Sequence, residues 1–299
     1  VAEPLTPEAF EASLAEAVRA APSDPRCGFL GPGTLTWRIS AEAVLHAAGP
    51  RALLMQFAHP LVAQGVFDHS GFERDFFGRT RRTFGTVYRL VFGDRDEALD
   101  AARRIYRAHA RVKGTLPTAV GIHAAGTPYH ASDPALLRWV WATLVDSSQV
   151  AYDRWVQPLR AEEREAHYQE QRQLARLFGL LPGDFPPTYR EFSRWMRACV
   201  ASGEIAVGPA ARALAAVFFE GCTGPPGLAL PFRVLAAGML PEALRAQFGL
   251  RWHAPVRAAF RVADLLLQRS VRRLPPCLRE IPMARQARRR CARTVVTER

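Results

Sequence analysis

The segment that opens with Asp133-Pro134 and runs to Trp155 is apolar on every side when wound into a helix. Leu137, Val140, Trp141, Leu144 and Ser148 fall on one side at spacings of three and four, and Trp139 and Val150 fall on the opposite side. A helix that is apolar all round is buried all round, so other elements must wrap it. This segment is therefore the predicted centre of a helical bundle. Asp146 lies inside it, in the string ATLVDSSQVAY. A buried carboxylate is costly without a partner, so Asp146 is expected to be structural and paired with an arginine, Arg79 or Arg82 first.

The rest of the chain supports an all-α fold. There is no sustained alternation of β-branched residues, and no Asn-Gly or Asp-Gly hairpin between apolar runs. Helical periodicity recurs instead. Thr6 caps a predicted helix over 7–20, with Pro7 at its first position. Ser40 caps another over 40–58, interrupted near Gly49-Pro50, and His59-Pro60 forces a restart. Over 78–92 the apolar stripe is Phe84, Val87, Tyr88 and Val91, with Arg79, Arg82 and Thr83 on the other face. A helix from Asp94 or Asp96 to Gly114 turns Leu99, Ala102, Ile105, Tyr106, His109 and Val112 inward. Residues 115–130 read as a loop, and further helices fit 161–180, 187–201, 209–220 and 255–272. No repeat or long linker divides the chain, so residues 1–299 are expected to form a single globular multi-helix bundle.

Composition narrows the classes further. The formal charge is +12, and of the 40 lysines plus arginines only Lys113 is a lysine. Arginine forks suit phosphate, but these are spread over the whole chain, as a GC-rich genome and the need for solubility would spread them. One cluster, ARQARRRCAR at 284–293, begins an Arg-rich tail over 284–299. No aromatic side chains are interleaved with it for base stacking, so nucleic acid is a disfavoured partner. Cys27, Cys199, Cys222, Cys277 and Cys291 form no CxxC pair, and a reducing cytoplasm is the expected compartment. No signal-peptide pattern and no run of eighteen apolar residues occurs, so no transmembrane segment is expected. The greasiest stretch, 213–240, is broken by Glu220, Pro225, Pro226, Pro231 and Arg233.

Most standard chemistries lack their motif. ExxH, HExxH, GxSxG, GxGxxG and the phosphate-binding P-loop are all absent. What remains is His109, a single imidazole on the apolar stripe of its helix. Such a residue is either a hydrogen-bonded core histidine or an axial ligand to haem iron. His59 and His69 flank AHPLVAQGVFDHS at a spacing that matches no standard metal site, and structural roles are expected for both.

Three blocks together carry a resemblance. GPRALLMQFAHPLVAQGVFDHSGFERDFFGRTRRTF, AHARVKG and YHASDPALLRWVWATLVDS resemble, in order and spacing from about 37 to 192, the catalytic domain of latex clearing proteins (rubber oxygenases) and of the fungal mycophenolic-acid oxygenases. The Arg-rich C-terminal part is similar to that of bacterial members. The resemblance implies an all-helical fold with a globin-like pocket for non-covalent haem b, and dioxygen as co-substrate. It implies His109 as the proximal ligand of the haem iron. In the family an Arg-x-x-Lys-Thr string precedes that histidine, and its lysine can occupy the distal iron site. Here the string is Arg79-Thr80-Arg81-Arg82-Thr83, so arginine and threonine match and Arg82 replaces the lysine. A guanidinium stays protonated and has no lone pair to offer, so Arg82 is not expected to bind iron. Lys113, four residues beyond His109 on the same predicted helix, would lie on the same side of the haem. Arg79, Arg82 and Thr83 are instead expected to face the distal pocket or the haem propionates.

The sequence thus predicts a haem b-dependent oxygenase for a lipophilic, unsaturated, isoprenoid-like small molecule. A non-enzymatic helical protein that binds haem or another lipophilic ligand shares these features. An Arg-rich nucleic-acid or membrane-surface binder, working through the tail, is the third reading.

Overall fold

A computed structural model describes residues 3–71, 76–221 and 229–292. Helices α1 (Pro7–Ala20), α2 (Leu35–Ser40), α3 (Gly49–Phe57) and α4 (Pro60–His69) lead into α5 (Phe76–Phe92) and α6 (Arg95–His109). Two short strands, β1 (Lys113–Thr115) and β2 (Pro128–His130), precede α7 (Pro134–Trp155). Next come α8 (Ala161–Leu174), α9 (Tyr189–Ala201), α10 (Pro209–Gly221), α11 (Ala229–Met239), α12 (Glu242–Gln247) and α13 (Ala254–Arg273). Helices α14 (Pro276–Arg279) and α15 (Pro282–Ala292) end the described chain. The architecture is an all-α bundle.

Its centre is α7. The Asp133 carboxylate accepts the Ala135 N–H at 2.8 Å and Pro134 fills the first position, so the helix starts where its sequence says. Buried residues lie around the whole cylinder: Trp139, Trp141, Tyr152 and Trp155 are each at most 2% exposed. Burying side chains of this size contributes about 2–3 kcal/mol apiece. The polar indole of Trp139 is satisfied by the Met55 carbonyl of α3 at 3.0 Å, which fixes the two helices against each other. A second core gathers α1, α5, α6 and α15 around Phe10, Trp37 and Phe92.

Local signals place several boundaries as expected. Thr6 caps α1, and His59 caps α4 with Pro60 at its first turn. Other boundaries differ. Ser40 ends α2 rather than capping the next helix, and residues Ala43–Ala48 form a 3-10 turn that runs directly into α3. Helix α6 stops at His109 rather than continuing to Gly114, because Lys113–Thr115 pairs with Pro128–His130 in an antiparallel hairpin. There Gly114 lies opposite Tyr129, and a Cβ at Gly114 would run into the Tyr129 ring. The hairpin is tied to α4 where the Tyr129 hydroxyl donates to Asp68 at 2.5 Å.

The cysteines also pair where their spacing gives no hint. Cys27 and Cys291 form a disulfide across 264 positions, with Cα atoms 5.4 Å apart. It clamps α15 to the Pro25–Cys27 turn. Three arginines of α15 are bound to the protein itself: Arg285 to the Cys277 carbonyl, Arg288 to Glu280, and Arg290 to the Phe92 and Arg26 carbonyls. The described part of the Arg-rich tail is therefore a packed helix; residues 293–299 lie outside the described residues. No described helix is long and apolar enough to cross a membrane.

Candidate functional site

The apolar stripe of α5 does not end in the core. Phe84, Val87, Tyr88 and Val91 line a cavity of about 140 Å³, faced by Trp141, Leu144, Ser147 and Ser148 of α7, Ala52 of α3 and Leu174 of α8. One polar chain leads from this wall to solvent. The Tyr88 hydroxyl lies 3.0 Å from His46 Nε2, and His46 Nδ1 lies 2.8 Å from the Ala43 carbonyl. A carbonyl only accepts, so Nδ1 carries the proton and Nε2 accepts from Tyr88. Burial pushes the Tyr88 phenol up to about 12, so it stays protonated and its oxygen keeps a lone pair for a ligand. His46 is exposed. Sequence reasoning missed it, because 42 positions separate it from Tyr88 and no local spacing links them.

His109 is half-buried at the last position of α6. It lines a crevice of about 10 Å³ with Tyr106, Ser132, Leu137 and Phe178, and Phe178 also lines the large cavity. The two voids thus share one side chain. Arg82 and Thr83 are exposed on the face of α5 away from the stripe and are not among the cavity-lining residues. Arg79 stands in α5, and its side chain lies outside the described residues. Lys113 is not on the helix of His109, as expected from periodicity, but in β1, where it is exposed.

Asp146 has an arginine partner, and it is Arg51; the side chain of Arg79, one of the two partners expected, lies outside the described residues. Arg51 of α3, at 6% side-chain exposure, donates to the Asp146 carboxylate at 2.5 Å, to the Ser147 hydroxyl at 2.6 Å and to the Met239 carbonyl at 3.0 Å. One guanidinium therefore joins α3, α7 and α11 behind the cavity.

A second polar cluster lies behind α8. His167 is fully buried, and burial pushes its imidazole down to about 3, so the ring is neutral. Gln149 meets its Nδ1 at 2.9 Å and Gln171, a cavity-lining residue, meets its Nε2 at 3.4 Å. A neutral imidazole accepts at one nitrogen and donates at the other, so one of the two amides presents its oxygen. His59 is likewise buried and held down to about 3, by burial first and by His123 second. Its Nδ1 accepts the Leu61 N–H at 3.3 Å, while His69 Nε2 donates to the Lys113 carbonyl at 3.0 Å. Both make backbone bonds of a structural kind.

Residues 37–269 match the family described as ER-bound oxygenase mpaB/B′/rubber oxygenase, catalytic domain. The chain belongs to this family. The match covers well over half of the chain and runs past the 37–192 stretch in which the resemblance is strongest, through α13 up to Arg269. No curated protein and no solved structure matches the chain. Membership in the mpaB/rubber oxygenase family makes it an oxygenase-type oxidoreductase with dioxygen as co-substrate.

Haem b needs an imidazole, an apolar slot and cations for its propionates. In residue chemistry this oxygenase fits: His109 ends α6, the α5 stripe is apolar, and Arg82 and Arg89 stand exposed on α5. In volume the fit is incomplete. A cavity of about 140 Å³ is comparable to the ~150 Å³ that admits a benzene ring. A macrocycle needs the boundary at Phe178 to open and join the cavity to the His109 crevice. Among the described residues, no group of three His, Cys, Asp or Glu side chains is placed to hold a metal ion, whereas a haem asks for a single imidazole.

Proposed function

We propose that this chain is a haem b-dependent oxygenase that oxidises or cleaves a C=C bond of a lipophilic, isoprenoid-like small molecule. The observation that carries the reading is the apolar α5 wall with His109 at the adjoining crevice, in a chain that belongs to an oxygenase family. His109 would hold the iron, and Arg79 and Arg82 would meet the propionates. When bound, the group supplies binding and activation of dioxygen. The chain's own residues do the rest. Phe84, Val87 and Val91 exclude water and orient an apolar substrate, and Tyr88 offers the polar atom against which one end of it is placed. Arg82 has no lone pair, so added imidazole or cyanide should bind without displacing a protein ligand.

Freshly purified protein is expected to show a Soret band. His109→Ala should lose it while keeping its helical circular dichroism, because Leu99, Ile105 and Tyr106 still anchor α6 to the core. Imidazole added to the variant should restore the band in part. A variant that keeps full haem content and an unchanged spectrum would rule His109 out as the ligand. Tyr88→Phe should leave the band in place and weaken turnover of substrates that carry a polar end.

A further inference from the structure

Helix α13 is sided in two ways at once. Phe260 and Val271 are buried against the bundle, and Asp264 is bound on the same inner side by Arg154 at 2.6 Å and the Trp155 indole at 2.9 Å. The outer side carries two neighbouring rows at four-residue steps. One is basic, with Arg257, Arg261, Arg269 and Arg273 interrupted only by Leu265, all of them exposed. The other is apolar: Val262 is 59% exposed, Leu266 60% and Leu274 40%, and Leu278 of α14 continues beyond it at 67%. Neither row contains an acidic residue. Isolated exposed leucines need no explanation, but an apolar row broken at Ser270 beside a basic row broken at Leu265 does.

The occupant must be apolar and anionic together. A second copy of the chain would bring arginine against arginine. A nucleic-acid duplex would satisfy the arginines and press Val262 and Leu266 against phosphates. The interface of an anionic bilayer satisfies both rows, with the aliphatic side chains among the acyl chains and the guanidinium groups at the headgroups. We propose that α13 docks the protein on an anionic lipid bilayer, lying flat in the plane of the interface. This surface is distinct from the arginine tail, three of whose arginines are spent on internal bonds. The proposal rests on neither haem nor turnover.

Vesicle flotation of the whole protein tests it, using phosphatidylcholine vesicles with and without phosphatidylserine. Binding is expected only with phosphatidylserine and should weaken as salt is raised. Val262→Glu with Leu266→Glu, both at exposed positions, should abolish it. Arg261→Gln with Arg269→Gln should weaken it roughly 20- to 30-fold. Arg212→Gln with Arg289→Gln, an equal loss of charge at exposed positions elsewhere, should leave it nearly unchanged. Equal binding by the parent and the Val262/Leu266 variant would overturn the proposal. So would binding to duplex DNA but not to vesicles, or a parent dimer that this variant turns into a monomer without any vesicle binding.

Discussion

Replacing His59 by Asn and His167 by Gln makes the protein less sensitive to acid, by about 4 kcal/mol between pH 7.5 and pH 5. Both imidazoles are buried and held down to about 3, from an ordinary 6.5. In the unfolded chain they take up protons below about pH 6.5; in the folded protein they stay neutral. Their stabilising effect is therefore complete above 6.5 and is lost as pH falls toward 3. At pH 5 each unfolded histidine lies 1.5 units below its own pKa, which costs the fold about 2 kcal/mol per residue. Glu42 acts in the opposite direction. Burial raises it to about 7 despite its ion pair with Arg279, so its contribution is present below about 4.5 and is lost as pH rises through 7. The parent's net decline is accordingly shallow down to about pH 4.5 and steep below it. Comparing parent and variant at each pH cancels Glu42. Asn preserves a capping side chain at the start of α4, and Gln can keep one of the two amide contacts of His167. Urea unfolding across the pH range supplies the measurement. Parallel stability curves for parent and double variant would show that these histidines do not set the acid limit.

How far the sequence reaches depends on the range of the interaction. Asp133-Pro134, Thr6-Pro7 and His59-Pro60 are punctuation within one helical turn, and the fold follows them. The all-round apolar character of α7 is also local, and it places that helix in the middle. The end of α6 is different. Periodicity runs on smoothly through Val112, yet the chain leaves the helix at His109 because a partner strand, beginning at Pro128, competes for the backbone of Lys113–Thr115. Cys27 and Cys291 meet only because α15 returns to the Pro25–Cys27 turn. The site shows the same division. The α5 stripe that lines the cavity was legible from spacing alone, and His109 was singled out by its place on a stripe. His46 was not, since it reaches Tyr88 across the fold. Arg82 and Thr83 came from the resemblance, and both are exposed on α5.

Asp146→Ala is expected to destabilise the protein by about 3–5 kcal/mol, because it strands a buried charge. The sequence asks for an arginine beside this carboxylate and puts Arg79 and Arg82 first. The geometry assigns Arg51 and makes the pair unequal: the guanidinium is 6% exposed and the carboxylate 22%. Removing Asp146 leaves a largely buried cation that, among the described residues, is held by the Ser147 hydroxyl and the Met239 carbonyl. Removing Arg51 leaves an anion that can still be partly hydrated, so Arg51→Met should cost clearly less, about half as much. The double variant Arg51→Met with Asp146→Ala contains no stranded charge and should be more stable than Asp146→Ala alone, although it has lost more native bonds. That reversal separates a charge effect from a packing effect, because lost packing would make the double variant the worst of the three. Urea unfolding at pH 7.5 ranks them. The same series bears on the cavity, since Ala52 and Ser147, the neighbours of Arg51 and Asp146 in sequence, both line it. If the pair holds that wall in place, haem content and ligand binding should fall in Asp146→Ala and recover partly in the double variant, in the same order as stability.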